Sequence, residues 1–358
     1  MSAGNVLKGI RFPGRYIQGP GALERLDREI EGFAPHALIL LDAGVYDRFA
    51  PELQSHLAEG RATLVRFAGE CSLDAIAEAG AQAREVSAGV IVGMGGGKAL
   101  DTAKSVADDL SLPVVIVPTI AASDAPCSAL SVVYNPDGSV SHDRFLPRNP
   151  DLVLVDTAII AKAPPRFLAA GIADALATWY EAASCERSGA NNCLGLPGIS
   201  LAYTIAATCR ETIMTCGVEA LADCARGEVS PALESIVEAN ILLSGLGFES
   251  GGVATAHAVH HGLSQLDEVH HYLHGEKVAI GILTGLLMQG DMDEYDRVRT
   301  FMLRAGLPTH LAEIGIVDVT PEKLSIIAER ACRPGEIIYN EPGPVTREMV
   351  IRALEQLV

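Results

Sequence analysis

Over the first 160 residues, short runs of consecutive aliphatic positions alternate with stretches whose apolar residues recur every three or four positions. The runs are Ala37 to Leu41, Ala62 to Phe67, Gly89 to Val92, Pro113 to Val117 and Leu152 to Val155. Their length and unbroken apolar character predict strands covered on both faces, as in a parallel sheet. Leu73 to Val86 and Lys98 to Asp109 predict the helices that cover them. The expected unit is an α/β domain with a doubly wound, Rossmann-like parallel sheet. Asn149-Pro150 and Ala163-Pro164-Pro165 break the pattern, which places a boundary after Lys162.

Beyond that point the strand-like runs largely vanish, and Ala- and Leu-rich segments predict an all-helical second domain over residues 163–358. Thr320-Pro321-Glu322 and Thr346-Arg347-Glu348 read as helix starts. The cleft between the two domains is the expected place for a ligand site.

Composition narrows the partners. Against 27 Lys and Arg the 358-residue chain carries 45 Asp and Glu, a net charge of −18. Such a surface repels phosphate backbones and anionic membranes, which leaves small molecules and other subunits. The first twelve residues contain no apolar core or cleavage pattern of a leader, so a cytoplasmic chain is expected. The longest uncharged run, Ser188 to Cys209, is interrupted by Asn191, Asn192, Pro197 and Gly198, unlike a membrane span. Eight cysteines without a Cys-x-x-Cys pair predict reduced, mostly buried thiols.

Gly93-Met94-Gly95-Gly96-Gly97-Lys98 follows one predicted strand and opens a helix near Ala99. Glycines at such a turn let backbone N–H groups approach a pyrophosphate at the helix N-terminus. The spacing matches neither Gly-x-Gly-x-x-Gly nor the Walker A pattern, and a tight turn without a ligand is the alternative. Asp42, at the carboxyl end of its strand, could accept bonds from an adenosine ribose or be an ordinary loop acid.

Six of the ten histidines (His257, His260, His261, His270, His271 and His274) fall within 18 residues. Clustered imidazoles in an apolar, helix-prone region point to a metal, zinc above all, although such a site uses only two or three of them. Spacing alone does not choose which. Asp174 is a candidate further ligand, because it is a lone carboxylate in the apolar run Gly171 to Trp179.

With these residues the chain resembles the glycerol dehydrogenases of the iron-containing alcohol dehydrogenase superfamily, whose fold is also that of dehydroquinate synthase. The resemblance spans nearly the whole chain. It rests on Gly95 to Lys104, Pro118-Thr119-Ile120, Ser123-Asp124-Ala125-Pro126, Asp174 to Trp179, Gly247 to Gly252, His257 to His260 and His274 to Val278. It implies NAD bound through Asp42, Gly95, Gly96, Gly97, Lys98, Asp101, Thr119, Ser128 and Tyr134. It also implies a catalytic Zn2+ on Asp174, His257 and His274, the other clustered histidines being supporting or structural. Thr178 stands where iron-dependent relatives carry a fourth ligand His, and His261 where Asn is usual. The implied reaction is oxidation of glycerol or a related vicinal diol to a ketone such as dihydroxyacetone, with hydride passing to NAD, in a homo-oligomer, an octamer.

The same resemblance puts Asp124 beside the nicotinamide, facing the metal. A carboxylate there needs a donor, and a second hydroxyl of the substrate is the natural one; a turn acid accepting backbone N–H groups before Pro126 is the alternative. Two rival functions remain. One is a synthase of the dehydroquinate type acting on a phosphorylated sugar acid, disfavoured because no Lys or Arg lies between Arg226 and Lys277, with Arg144 and Arg166 as the remaining cations. The other is a nucleotide-binding protein without turnover, against which the full set of metal ligands argues.

Overall fold

The computed structural model describes residues 7–135 and 139–358; residues 1–6 of the stretch read for a leader lie outside the described residues. The first half alternates strand and helix: β1 Tyr16–Gly19, α1 Leu26–Glu31, β2 Ala37–Asp42, α2 Ala43–His56, β3 Ala62–Phe67, α3 Leu73–Glu85, β4 Val90–Gly95, α4 Gly97–Leu110 and β5 Val114–Pro118. A hairpin of β6 Leu130–Tyr134 and β7 Val140–Phe145 precedes β8 Leu152–Asp156. Six strands form one parallel sheet in the order β1-β8-β5-β4-β2-β3. The inner strands β4, β5 and β8 are buried along their whole length, which is why they read as unbroken aliphatic runs.

Strand order reverses between β2 and β4, since β3 lies outside β2 while β5 and β8 continue on the other side of β4. A crevice opens at the carboxyl ends of strands at such a reversal. Asp42 ends β2 and Gly95 ends β4, so the two candidate cofactor residues meet there.

From α5 Thr157–Ile160 onward the described residues are helical: α6 Pro165–Ser188, α7 Ser200–Arg226, α8 Pro231–Glu238, α9 Ser244–Gly251, α10 Thr255–Leu263, α11 His274–Gln289, α12 Met292–Ala305, α13 Pro321–Ala331 and α14 Arg347–Glu355. Thr320 and Thr346 cap α13 and α14 by accepting from the backbone N–H groups of Lys323 and Met349. One turn of π-helix, Ala239–Leu243, joins α8 to α9.

Close helix contacts rest on glycine. A Cβ on Gly281 of α11 would lie 2.2 Å from the carbonyl oxygen of Ala256 in α10, and one on Gly275 would lie 1.8 Å from that of Ala170 in α6. Both contacts are with backbone, which has no rotamer to move. Gly281→Ala should therefore lower stability by about 1–3 kcal/mol, the cost of overpacking a filled core. Gly285→Ala, whose Cβ would meet Thr255 at 3.4 Å, is the tolerated comparison. Equal urea midpoints for the two variants would contradict the packing.

Candidate metal and nucleotide site

Helix α6 carries Asp174 at 1 % exposure, among Ala170, Ala173, Ala175, Leu176 and Ala177, all buried. Helix α10 supplies His257, and the first residue of α11 is His274, so the chain turns back between them. One nitrogen of each imidazole and a carboxylate oxygen of Asp174 lie within 4.8 Å of one another. His274 Nε2 is 2.9 Å and His257 Nε2 3.5 Å from Asp174 Oδ1. Yet Asp174 Oδ1 is buried without a hydrogen-bond partner among the described residues. Two imidazole nitrogens converging on a buried carboxylate oxygen make the donor set of a divalent cation.

The outer side of each ring is held. Glu181, two turns beyond Asp174 on α6 and buried, takes His257 Nδ1 at 2.5 Å and accepts from the N–H groups of Ala254 and His257. Carboxylate contact at Nδ1 leaves Nε2 to face inward. His274 Nδ1 meets His260 Nε2 at 3.2 Å, and the two rings cross edge to face at 4.3 Å. Burial, then the charges of His274 and Lys277, push the His260 pKa well down. Burial alone would raise Asp174, but the charges of His274 and His257 hold it far below the usual carboxylate range. Burial disfavours the charged form of His257, but Glu181 and Asp174 hold its pKa well above the ordinary value.

The remaining histidines stand outside the triad. His261 Nδ1 lies 3.3 Å from Glu336 Oε1, and the exposed His270 bonds the Ser264 carbonyl oxygen through Nε2 at 3.3 Å. His271 is exposed beside a cavity of about 730 Å3 that Arg166, Tyr272 and Glu276 also line. Thr178 points its hydroxyl at Ser244 Oγ, 2.9 Å away, instead of joining the triad.

Asp124 is joined to this cluster by its backbone, whose N–H donates to Asp174 Oδ2 at 3.3 Å. Its side chain makes no capping bond to the adjoining 3-10 turn, Ala125–Cys127. The donor that meets Asp124 comes from inside the protein: Ser244 Oγ donates to Oδ2 at 2.8 Å. Oδ2 is therefore engaged within the protein, and the other carboxylate oxygen is the one left for a substrate hydroxyl. Burial first, then the neighbouring charge of Asp174, push the Asp124 pKa well up.

At the sheet edge, Gly95 has φ +146° and a Cβ there would lie 2.3 Å from the Asp42 Cβ, so only glycine fits. Among the described residues no side chain caps the start of α4, and the space above Gly97 is open to 4 Å. Free N–H groups facing open space at the start of a 14-residue helix suit a phosphate. Asp42 Oδ1 caps α2 through the Gly44 N–H at 2.8 Å. Thr119 donates its N–H to the Gly95 carbonyl oxygen at 3.0 Å. Lys98 pairs with Glu70 and lies 6.0 Å from the Tyr134 ring centre. Two further expected cofactor residues have partners within the protein. Asp101 is buried on Lys104 and the Val132 N–H, while Ser128 is buried with its hydroxyl on the Ala125 carbonyl oxygen.

Glu181 and Ser244 were not among the residues expected. Glu181 had a signal, a second carboxylate seven positions after Asp174 on the same helix face; Ser244 had none, since a serine in a helix is unremarkable in sequence.

A family model described as iron-containing alcohol dehydrogenase matches residues 13–157. Glycerol dehydrogenase of Thermotoga maritima is 51 % identical over 96 % of this chain and 95 % of its own length. That of Pseudomonas putida is 45 % identical over 97 % and 96 %. The crystal structure of a probable glycerol dehydrogenase from Sinorhizobium meliloti superposes with a TM-score of 0.93 at 43 % identity, covering 98 % of each chain.

Proposed function

The chain belongs to the iron-containing alcohol dehydrogenase family and is an NAD-dependent alcohol dehydrogenase, and we propose that it oxidises glycerol to dihydroxyacetone, with related vicinal diols as further substrates. The observation that carries this reading is the orphaned Asp174 oxygen facing His257 and His274, one backbone bond away from Asp124. Zinc is the ion proposed for Asp174, His257 and His274, since two imidazoles and one carboxylate leave a position open for substrate. Bound there, the metal supplies a Lewis acid that acidifies an alcohol, while NAD supplies the hydride acceptor.

The chain's own groups do the rest. Glu181 and His260 fix the ring orientations of His257 and His274. Gly95, Gly96 and Gly97 bring backbone N–H groups to the pyrophosphate at the start of α4, and Asp42 faces the adenosine ribose at the strand reversal. Asp124 accepts from the second hydroxyl of the diol. Residue 162 is the proposed division between the two domains, whose cleft shields the transfer from water.

The two arginines that could serve a phosphorylated substrate are already paired. Arg144 is paired with Asp108 and Asp109, and Arg166 is held by both oxygens of Glu276. Among the described residues no helix is long and apolar enough to cross a membrane. We place the chain in the cytoplasm as a homo-oligomer, an octamer; free, mostly buried cysteines and the exposed Leu201, Leu303 and Ile326 of the helical half support this.

Following NADH absorbance with a panel of alcohols tests the reading, and glycerol should exceed propan-1-ol in kcat/KM; equal values would overturn the diol assignment. Chelation should abolish oxidation and zinc restore it, with His257→Ala and His274→Ala each losing most of kcat, whereas full activity in either variant would remove that residue from the site. Asp42→Gly keeps most of the helix cap energy. It should therefore relax the preference for NAD over NADP without unfolding the chain, and an unchanged preference in kcat/KM would detach Asp42 from the ribose. Light scattering should report an oligomer at micromolar concentration, and a monomer would refute the assembly.

A further inference from the structure

The run from Pro231 to Gly251 is helical throughout, but the π-turn at Ala239–Leu243 widens it for one turn. Such a turn inserts one residue and rotates the faces of the helix beyond it relative to those before it. Here Asn240 and Ser244 both reach the loop after β5. Asn240 Nδ2 donates to the carbonyl oxygens of Ala121 at 2.9 Å and Leu168 at 3.2 Å, and Ser244 Oγ donates to Asp124 Oδ2. Both side chains are fully buried.

Close packing leaves the loop no freedom. A Cβ on Gly171 would fall 1.9 Å from the Ala121 carbonyl oxygen, one on Gly245 2.8 Å from the Cys127 Cβ, and one on Gly247 2.5 Å from Thr178 Cγ2. Further along α9, Glu249 accepts from the Ala129 N–H at 2.8 Å.

A serine hydroxyl has one proton. With that proton on Asp124, the 2.9 Å contact between Ser244 and Thr178 must be donated by Thr178. The chain of bonds therefore runs from Thr178 through Ser244 to Asp124, and Thr178 lies one helical turn beyond Asp174. The helix that carries Asp174 thus sets the Asp124 carboxylate by two routes, through the Asp124 N–H and through the two hydroxyls. A carboxylate turns readily about its terminal torsion, which is broad. Pinning Oδ2 fixes where the other oxygen stands.

We propose that Ser244, itself fixed by Thr178, is a positioning residue that aims the Asp124 carboxylate at the second hydroxyl of the substrate and so sets the preference for a diol over a simple alcohol. This rests on the proposed contact between Asp124 and substrate. Ser244 touches neither substrate nor cofactor, and its effect is confined to reactions in which Asp124 has a hydroxyl to receive.

The test compares kcat and KM for glycerol, propane-1,2-diol and propan-1-ol in Ser244→Ala, Thr178→Val, Thr178→Ser and Asp124→Asn, with zinc content, NAD affinity and Tm measured on each. Ser244→Ala should raise KM for both diols about 5- to 20-fold, from the loss of the hydrogen bond that orients Asp124, with a smaller fall in kcat. Propan-1-ol should change less than about twofold, because it makes no use of Asp124. Thr178→Val should shift the same ratio in the same direction by a smaller factor, and Thr178→Ser, which keeps the hydroxyl, should restore it. If Ser244→Ala folds poorly, the Thr178 pair decides alone. A diol-to-mono-alcohol ratio unchanged in Ser244→Ala and Thr178→Val while Asp124→Asn collapses it would overturn the proposal and spare the reading beneath it. An equal loss on all three alcohols would also overturn it, by showing a purely structural role. A ratio unchanged in Asp124→Asn would remove the reading itself, and the proposal with it.

Discussion

A carboxylate buried in an apolar helix, met only by two imidazoles and one backbone N–H among the described residues, governs the architecture of this site. Burying such a group without partners would cost on the order of 1–3 kcal/mol, more if it is charged. A fold keeps such a group only where something else compensates. The imidazoles of His257 and His274 come from two further helices, and each needs its own support, from Glu181 and from His260. The small residues around Asp174 answer the same constraint. Helix α11 can bring His274 to α6 only because Gly275 lets it sit against Ala170.

The same helix organises the opposite wall. The Asp124 loop belongs to the sheet-bearing half but is fastened to the helical half through Asp174, Asn240, Ser244 and, beyond it, Glu249. The glycine edge at Gly95 to Gly97 is tied to this loop by the Thr119 N–H on Gly95. The glycine edge, the loop and the Asp174 cluster are therefore joined by hydrogen bonds, so the proposed placement of hydride acceptor and alcohol would be built into the fold.

Much of this was legible in the residue pattern, for identifiable reasons. Strands buried on both faces leave unbroken aliphatic runs, so β2, β3, β4, β5 and β8 stood out. β1, Tyr-Ile-Gln-Gly at half burial, and β7, exposed along most of its length, leave no such run. Asp174 was conspicuous as a charge among alanines, and the histidine cluster by its density. Which imidazoles converge was a matter of the turn between α10 and α11, which spacing does not encode. Asp101 and Lys98 sit within the glycine-loop motif, yet their side chains are engaged by Lys104 and by Glu70, interactions that need three-dimensional neighbours. The Ser244 bond was out of reach, because it depends on a π-turn that has no sequence signature.

The central claim is that Asp174 is buried in order to hold a metal. X-ray absorption at the zinc edge, together with metal analysis of the purified protein and of Asp174→Asn, addresses it most directly. One zinc per chain is expected in the native protein, bound by two imidazoles and oxygen, and its loss is expected in the variant. Zinc retained in Asp174→Asn with an unchanged ligand set, or a native protein that takes up no divalent metal, would contradict it.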